Sequence, residues 1–221
     1  MKNGDSSNSS SHKPSGVSTV VGTLREKIVF SRRVRVLTNH LVDLIPPGAR
    51  VLDVGCGEGT IDNLIAEKRP DVTIEGIDVL VWPEAKIPVK QFDGSTIPHA
   101  DGSFDVVMFV DVLHHTMDSS VLLAEAIRVG KSILIKDHFQ DGLLARPTLQ
   151  LMDWVGNAHH GVSLPYNYSS RKEWNAVFKR LGLKASAMKG DLGLYPVPAS
   201  WVFERGLHFV GMLERDPSRL S

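Results

Sequence analysis

The stretch Val51–Thr60, VLDVGCGEGT, restricts the fold more than any other part of the chain. An apolar run ending in an acid reads as a buried strand, and three glycines alternate with other residues directly after it. TIDNLIAEKR then reads as a helix stopped by Pro70. Strand, glycine turn and helix in that order leave backbone amides uncovered at a helix start. Something must approach the main chain closely there.

The remaining segments continue the alternation. LREKIVFSRRVRVLTNHLVDLI spaces its apolar residues at helical intervals and ends at Pro46-Pro47-Gly48. VTIEGID, PVKQFD, SFDVVMFVDVL and KSILIKDHF read as strands two to five, with the helix DSSVLLAEAIRVG before the last. Ser170 with Glu173 three residues on forms a capping box that opens a helix closed by Gly182. LKASAMKG and LHFVGMLER complete the sheet. Such alternation predicts an α/β fold with a mostly parallel sheet, helices on both faces, and ligands at the carboxyl ends of the strands.

Composition removes several function classes. Lys plus Arg equals Asp plus Glu at 25 each, so no global field draws in nucleic acid, and no nucleic-acid partner is expected. A single cysteine, Cys56, rules out an internal disulfide and suits a cytoplasmic setting. No apolar run reaches the roughly 18 residues of a spanning helix, and contact with a membrane is expected to be transient at most. The polar, Ser-rich residues 1–22 are expected to be a disordered tail, and residues 23–216 a single domain. Oligomeric state stays open.

Three acids sit at strand ends around the glycine turn. Asp53 lies two residues before Gly55, Asp78 ends the second strand where a carboxylate can hold both ribose hydroxyls, and Asp93 ends the third with Gly94 behind it. A dinucleotide site wants G-x-G-x-x-G and a pyrophosphate, whereas this chain has G-x-G-x-G with Asp53 and Glu58 close by. That charge favours a cationic adenosine ligand with an ammonium and a sulfonium. A nicotinamide-dependent oxidoreductase is the weaker enzyme alternative, and a non-catalytic binding module is the alternative from another class.

VLDVGCGEGT, IEGID, QFDGSTIPHADGSFDVVMFVDVLHH and SILIKD together resemble the successive motifs of class I S-adenosylmethionine-dependent methyltransferases. The similarity is nearest to the small-molecule and lipid branch that includes the ubiquinone and menaquinone methyltransferases. It runs from about Arg50 to Asp137. It implies a Rossmann-like seven-stranded sheet with the last strand antiparallel, and S-adenosylmethionine as the methyl donor. It further implies that Asp53, Gly55, Cys56 and Gly57 line the methionine part and that Asp78 holds the ribose. Val79, Asp93 and Gly94 would meet the adenine, with Val110, Asp111 and Leu113 bordering the sulfonium and the acceptor entry. The short connection from Val79 to Pro88 implies a more open adenine edge.

The acceptor side carries histidines. His114 and His115 follow the fourth strand, His138 ends the fifth, and His159 and His160 lie in the long connection beyond it. A base working near neutral pH would be His138, His115 or His160, in that order. No Cys pair or helical H-x-x-x-H spacing announces a metal, and none is expected. The stretch Phe139–Ser169, rich in leucine and aromatic residues, reads as a lid over a small-molecule or lipid-like acceptor, with Asn157, His159 and Tyr166 as polar contacts. The competing reading places ARPTLQLMDWVG as an amphipathic helix on the sheet edge. The basic run SRRVRV reads as a solvated helix face, or as a source of Arg33 or Arg35 over the site.

Overall fold

The computed structural model describes residues 31–157 and 165–219. The tail expected over residues 1–22 lies outside them. Residues 31–42 are helical and are named α1. The strands are β1 (Arg50–Val54), β2 (Thr73–Asp78), β3 (Val89–Gln91), β4 (Phe104–Val110), β5 (Gly130–His138), β6 (Leu183–Lys189) and β7 (His208–Arg215). The remaining helices are α2 (Thr60–Lys68), α3 (Ser119–Val129), α4 (Ala145–Asn157), α5 (Arg171–Arg180) and the single turn α6 (Ser200–Phe203). The seven strands lie in the order β3-β2-β1-β4-β5-β7-β6. β1 to β5 pair in parallel, and β7 runs antiparallel to both β5 and β6. This is the mostly parallel sheet with an antiparallel last strand that the sequence and its resemblance implied.

Alternate residues of each central strand go to opposite faces, which is why these strands are apolar throughout. Leu52, Val107, Phe109, Ile133, Ile135, Phe209 and Leu213 join α3 and α5 in one core, through Leu122, Leu123, Ala126, Trp174 and Phe178. Val51, Val106, Met108, Leu134, Val210 and Met212 face the other way, onto Leu37 and Leu41 of α1 and Ile65 of α2. The result is three layers with the sheet in the middle.

Local signals set the helix ends. Asp118 caps α3 by accepting the Ser120 N–H. The Ser170–Glu173 capping box of α5 forms reciprocally, as its spacing predicted. The stretch Gln140 to Ser169 departs from a purely irregular connection, since it holds α4. Ala145 and Leu149 of that helix pack with Tyr168 and Leu207 in a small core of their own. The helical reading of ARPTLQLMDWVG therefore holds, and α4 packs on Tyr168 and on Leu207 just before β7.

Leu134 is fully buried in β5 between β4 and β7. Leu134→Ala is expected to cost about 2–5 kcal/mol, read as a lower urea midpoint with an unchanged m-value. A loss within a few tenths of a kcal/mol would show that the sheet centre is not the stabilising core.

Candidate active site

The glycine turn welds two strand ends together. The Gly55 N–H donates to the Ile77 carbonyl at 2.8 Å, and the Gly57 N–H donates to Asp78 Oδ2, also at 2.8 Å. Gly55, Gly57 and Gly59 have φ of +80°, +58° and +74°, a region that side chains rarely adopt. A Cβ on Gly55 would stand 2.5 Å from Val112, so β1 and the loop after β4 can approach only because it is absent. Gly76 makes similar room in β2, where a Cβ would meet Cys56 Sγ at 2.4 Å.

Asp78 accepts the Leu80 N–H on Oδ1 and the Gly57 N–H on Oδ2, which leaves each oxygen a second lone pair for a ribose hydroxyl. Val79 is exposed beside it, and a Cβ on Gly94 would lie 3.2 Å from Val79. Asp93 Oδ1 is committed to Ser95 and Thr96. The backbone amides of those two residues hold the carboxyl below the usual range. An adenine amino group is thereby left its other oxygen. Cys56 is half-buried, and burial together with the nearby carboxylates pushes its thiol up.

Asp53 has a neighbour that no motif indicated. Asp62, in the first turn of α2, is fully buried, and both its oxygens and Asp53 Oδ1 lack a hydrogen-bond partner among the described residues. Burial, then their mutual repulsion, raises Asp53 well above the ordinary carboxylate value. Burial raises Asp62 to about 6. Two buried acids in this state call for a cation, and an ammonium answers that need where a pyrophosphate would not. With the open glycine turn and Asp78, these residues fit S-adenosylmethionine.

A second buried cluster lies at the carboxyl ends of β4 and β5. Asp111 sits just past β4 with φ of +58°, a conformation strained for a side chain and common at functional sites. It accepts from Arg33 of α1 at 2.5 Å and from Lys136 of β5. Burial works against its charge, but Lys136 and Arg33 hold it well below the usual range. Arg33 thus closes α1 over the site, while Arg35 is exposed. Asp111 is committed to two cations of its own chain. Leu113 is buried in one core, and Val110 lies half-buried against the other.

The histidines separate into different roles. His138, the first choice as base, is walled in: it is 3% exposed, with Lys136 Nζ 3.4 Å from Nε2 and the rings of His114 and His208 each 4.9 Å away. Burial and Lys136 lower it to about 4. Trp174 Nε1 pins its carbonyl from behind. His114 is buried too, and its Nδ1 is 2.8 Å from Asp137 Oδ1. Burial opposes its charge, yet Asp137 and Asp153 raise it to about 10. His115 alone of the three keeps an exposed side, and burial followed by His114 lowers it, so its ring is neutral near pH 7. His159 and His160 lie outside the described residues, whereas Asn157 closes α4. Tyr166 packs beside Tyr168, whose hydroxyl donates to Asp153 of α4.

A family profile described as a methyltransferase domain matches residues 26–187. The chain belongs to that family. Hahella chejuensis ubiquinone biosynthesis O-methyltransferase is 30% identical over 163 residues, covering 67% of this chain and 64% of that protein. The 2-methyl-6-phytyl-1,4-hydroquinone methyltransferase of Synechocystis is 34% identical over 100 residues, or 41% of this chain. The match spans only 31% of that relative's length. A Methanosarcina mazei S-adenosylmethionine-dependent methyltransferase superposes with a TM-score of 0.58 at 18% identity, over 78% of this chain and 95% of its own.

The acid pair makes a signed prediction for the ligand-free methyltransferase. Between about pH 4 and pH 6 the folded protein keeps a proton on Asp62 that the unfolded chain has released. Stability therefore falls as pH rises through that window and stays lower above it. Asp53, raised first by its own burial, keeps its part of the step, while Asp62→Asn removes the Asp62 part. Its urea midpoint should exceed the wild-type value at pH 7, with the difference closing toward pH 4. A variant weaker than wild type at pH 7 would mean that the pair is ionised and compensated.

Proposed function

We propose that this methyltransferase acts on a hydroxyl oxygen at the polar head of an otherwise apolar, lipid-like small molecule. The observation that supports this reading most is the two-sided character of α4. Its outer face presents Leu151, Trp154 (59% exposed) and Val155, and Leu143 and Leu144 stand exposed just before it. From its inner face Asp153 reaches Tyr168 and lies 3.4 Å from His114. An exposed apolar stripe of this kind marks a binding surface. An amphiphile lying against α4 would keep its apolar part on the stripe while its head reached the histidines. The quinone and hydroquinone names of the two relatives support a ring-bearing acceptor. No helix among the described residues is long and apolar enough to cross a membrane, so a lipid-like acceptor would be met at a surface. The cytoplasmic setting that the lone Cys56 suited belongs to the same proposal.

Bound S-adenosylmethionine supplies an electrophilic methyl group on a sulfonium. The work left to the chain is alignment and exclusion of water. Asp53, Asp62 and Asp78 hold the donor at one strand edge, and Arg33 latches α1 across that edge through Asp111. His115 is the ring that serves the acceptor oxygen, since His138 has no open side.

Incubation with methyl-labelled S-adenosylmethionine and a cell extract, followed by phase partition, tests the proposal. Label should enter the organic phase, and His115→Gln should lower transfer by about 100-fold or more while donor binding is kept. Label confined to the aqueous phase, or an unaffected variant, would overturn it.

A further inference from the structure

The pair His114–His115 and the α4 carboxylate form an arrangement that hydrogen bonding alone leaves incomplete. His114 Nε2 and His115 Nδ1 are both buried and lack a hydrogen-bond partner among the described residues. One ring nitrogen from each histidine and an Asp153 oxygen all lie within 4.8 Å of one another. The rings of His114 and His115 stand 4.1 Å apart. We infer that His114 Nε2, His115 Nδ1 and the Asp153 carboxylate bind a divalent transition-metal ion of the zinc class.

Three features support an ion over a purely protonic network. A proton on His114 Nε2 would answer Asp153, but it would leave the buried His115 Nδ1 with no hydrogen-bond partner among the described residues. A cation answers all three groups at once. The His114 Nε2 to Asp153 Oδ2 distance is 3.4 Å, long for a charged hydrogen bond. Two ligands about 2.0–2.2 Å from one tetrahedral ion stand roughly that far apart. Finally, His114 Nδ1 is 2.8 Å from Asp137 Oδ1. A carboxylate behind a ligating imidazole fixes the tautomer that turns Nε2 toward a metal, and it is the usual support of such ligands. The same Asp137 oxygen also accepts the His138 backbone N–H at 2.8 Å, which fixes the carboxylate in place behind the His114 ring. Tyr168, donating to Asp153, orients the third ligand in the same way.

Two nitrogens and one oxygen select the borderline metals, zinc, iron(II), cobalt or manganese, over magnesium or calcium, which take oxygen donors. Three protein ligands leave a coordination position open. This inference rests on the proposed hydroxyl acceptor for its purpose. A hydroxyl oxygen entering the open position loses its proton to water more readily, because the ion stabilises the oxyanion. His115 would then serve the acceptor through the ion. The ligands come from two elements far apart in sequence, so no local spacing announced them, and the expectation of no metal came from searching for such spacings.

The test uses the full chain stripped with a chelator and titrated with Zn2+ and with Co2+. We expect one tightly held equivalent of Zn2+ and a visible Co2+ absorption of tetrahedral intensity. His115→Gln and Asp153→Asn should each weaken uptake at least tenfold, and Asp137→Asn by about 10–100-fold. S-adenosylmethionine binding is measured on the same samples and should persist. Failure of the wild-type chain to take up either ion with donor binding intact would overturn the metal site and leave the methyl-transfer reading standing. Uptake unchanged in His115→Gln and Asp153→Asn would overturn it equally, by placing the ion on other histidines. Transfer to an aqueous acceptor with uptake intact would sink the lipid-like acceptor alone.

Discussion

The hydrogen bond from the Gly57 amide to the Asp78 carboxylate is the contact on which the donor side depends. It ties the turn after β1 to the end of β2, within a turn whose alternate glycines Gly55, Gly57 and Gly59 all have positive φ. The parallel sheet brings the ends of β1, β2, β4 and β5 to one edge. Every chemical group of interest then falls on that edge without further design. Gly55 and Gly76 act at the same level, since each removes a Cβ that would collide with a neighbouring strand or loop.

The second constraint is charge. Burying ions is costly unless each finds a partner. The acceptor end of the sheet solves this with one connected set. Arg33 and Lys136 flank Asp111, and His114 stands between Asp137 and Asp153. With His138 and His208 held neutral by burial and by Lys136, the charges of this set balance. The donor end does not balance. Asp53 and Asp62 keep buried oxygens with no hydrogen-bond partner among the described residues, which an ammonium would complete. Formal charge balances at one end of the edge and not at the other, while both ends keep buried atoms with no hydrogen-bond partner among the described residues, the Asp53 and Asp62 oxygens at one and His114 Nε2 and His115 Nδ1 at the other.

Much of this was legible in the sequence because it is local. The strand–turn–helix at Val51–Thr60, the capping box at Ser170 and the acids at strand ends depend on neighbours within a few residues. Asp62 was legible only as a polar residue in a helix start. Its burial comes from α2 packing back on β1. His138 looked well placed as a base because it ends β5, and it was the return of β7, carrying His208 against it, that closed its surroundings. Asp153 belongs to a helix that the sequence also allowed as an irregular lid, so its approach to His114 across 39 positions had no signal. That the last strand is antiparallel was implied by resemblance, and periodicity had no part in it; its place between β5 and β6 is set by pairing between distant segments.

A crystal structure of the protein with S-adenosylhomocysteine tests the central claim most directly, because it shows which groups meet the donor. The account predicts both ribose hydroxyls on the Asp78 carboxylate and the amino group against Asp53 and Asp62, with the adenine beside Val79. A nucleoside seated away from the Gly55–Gly59 turn, or a ribose making no contact with Asp78, would contradict it.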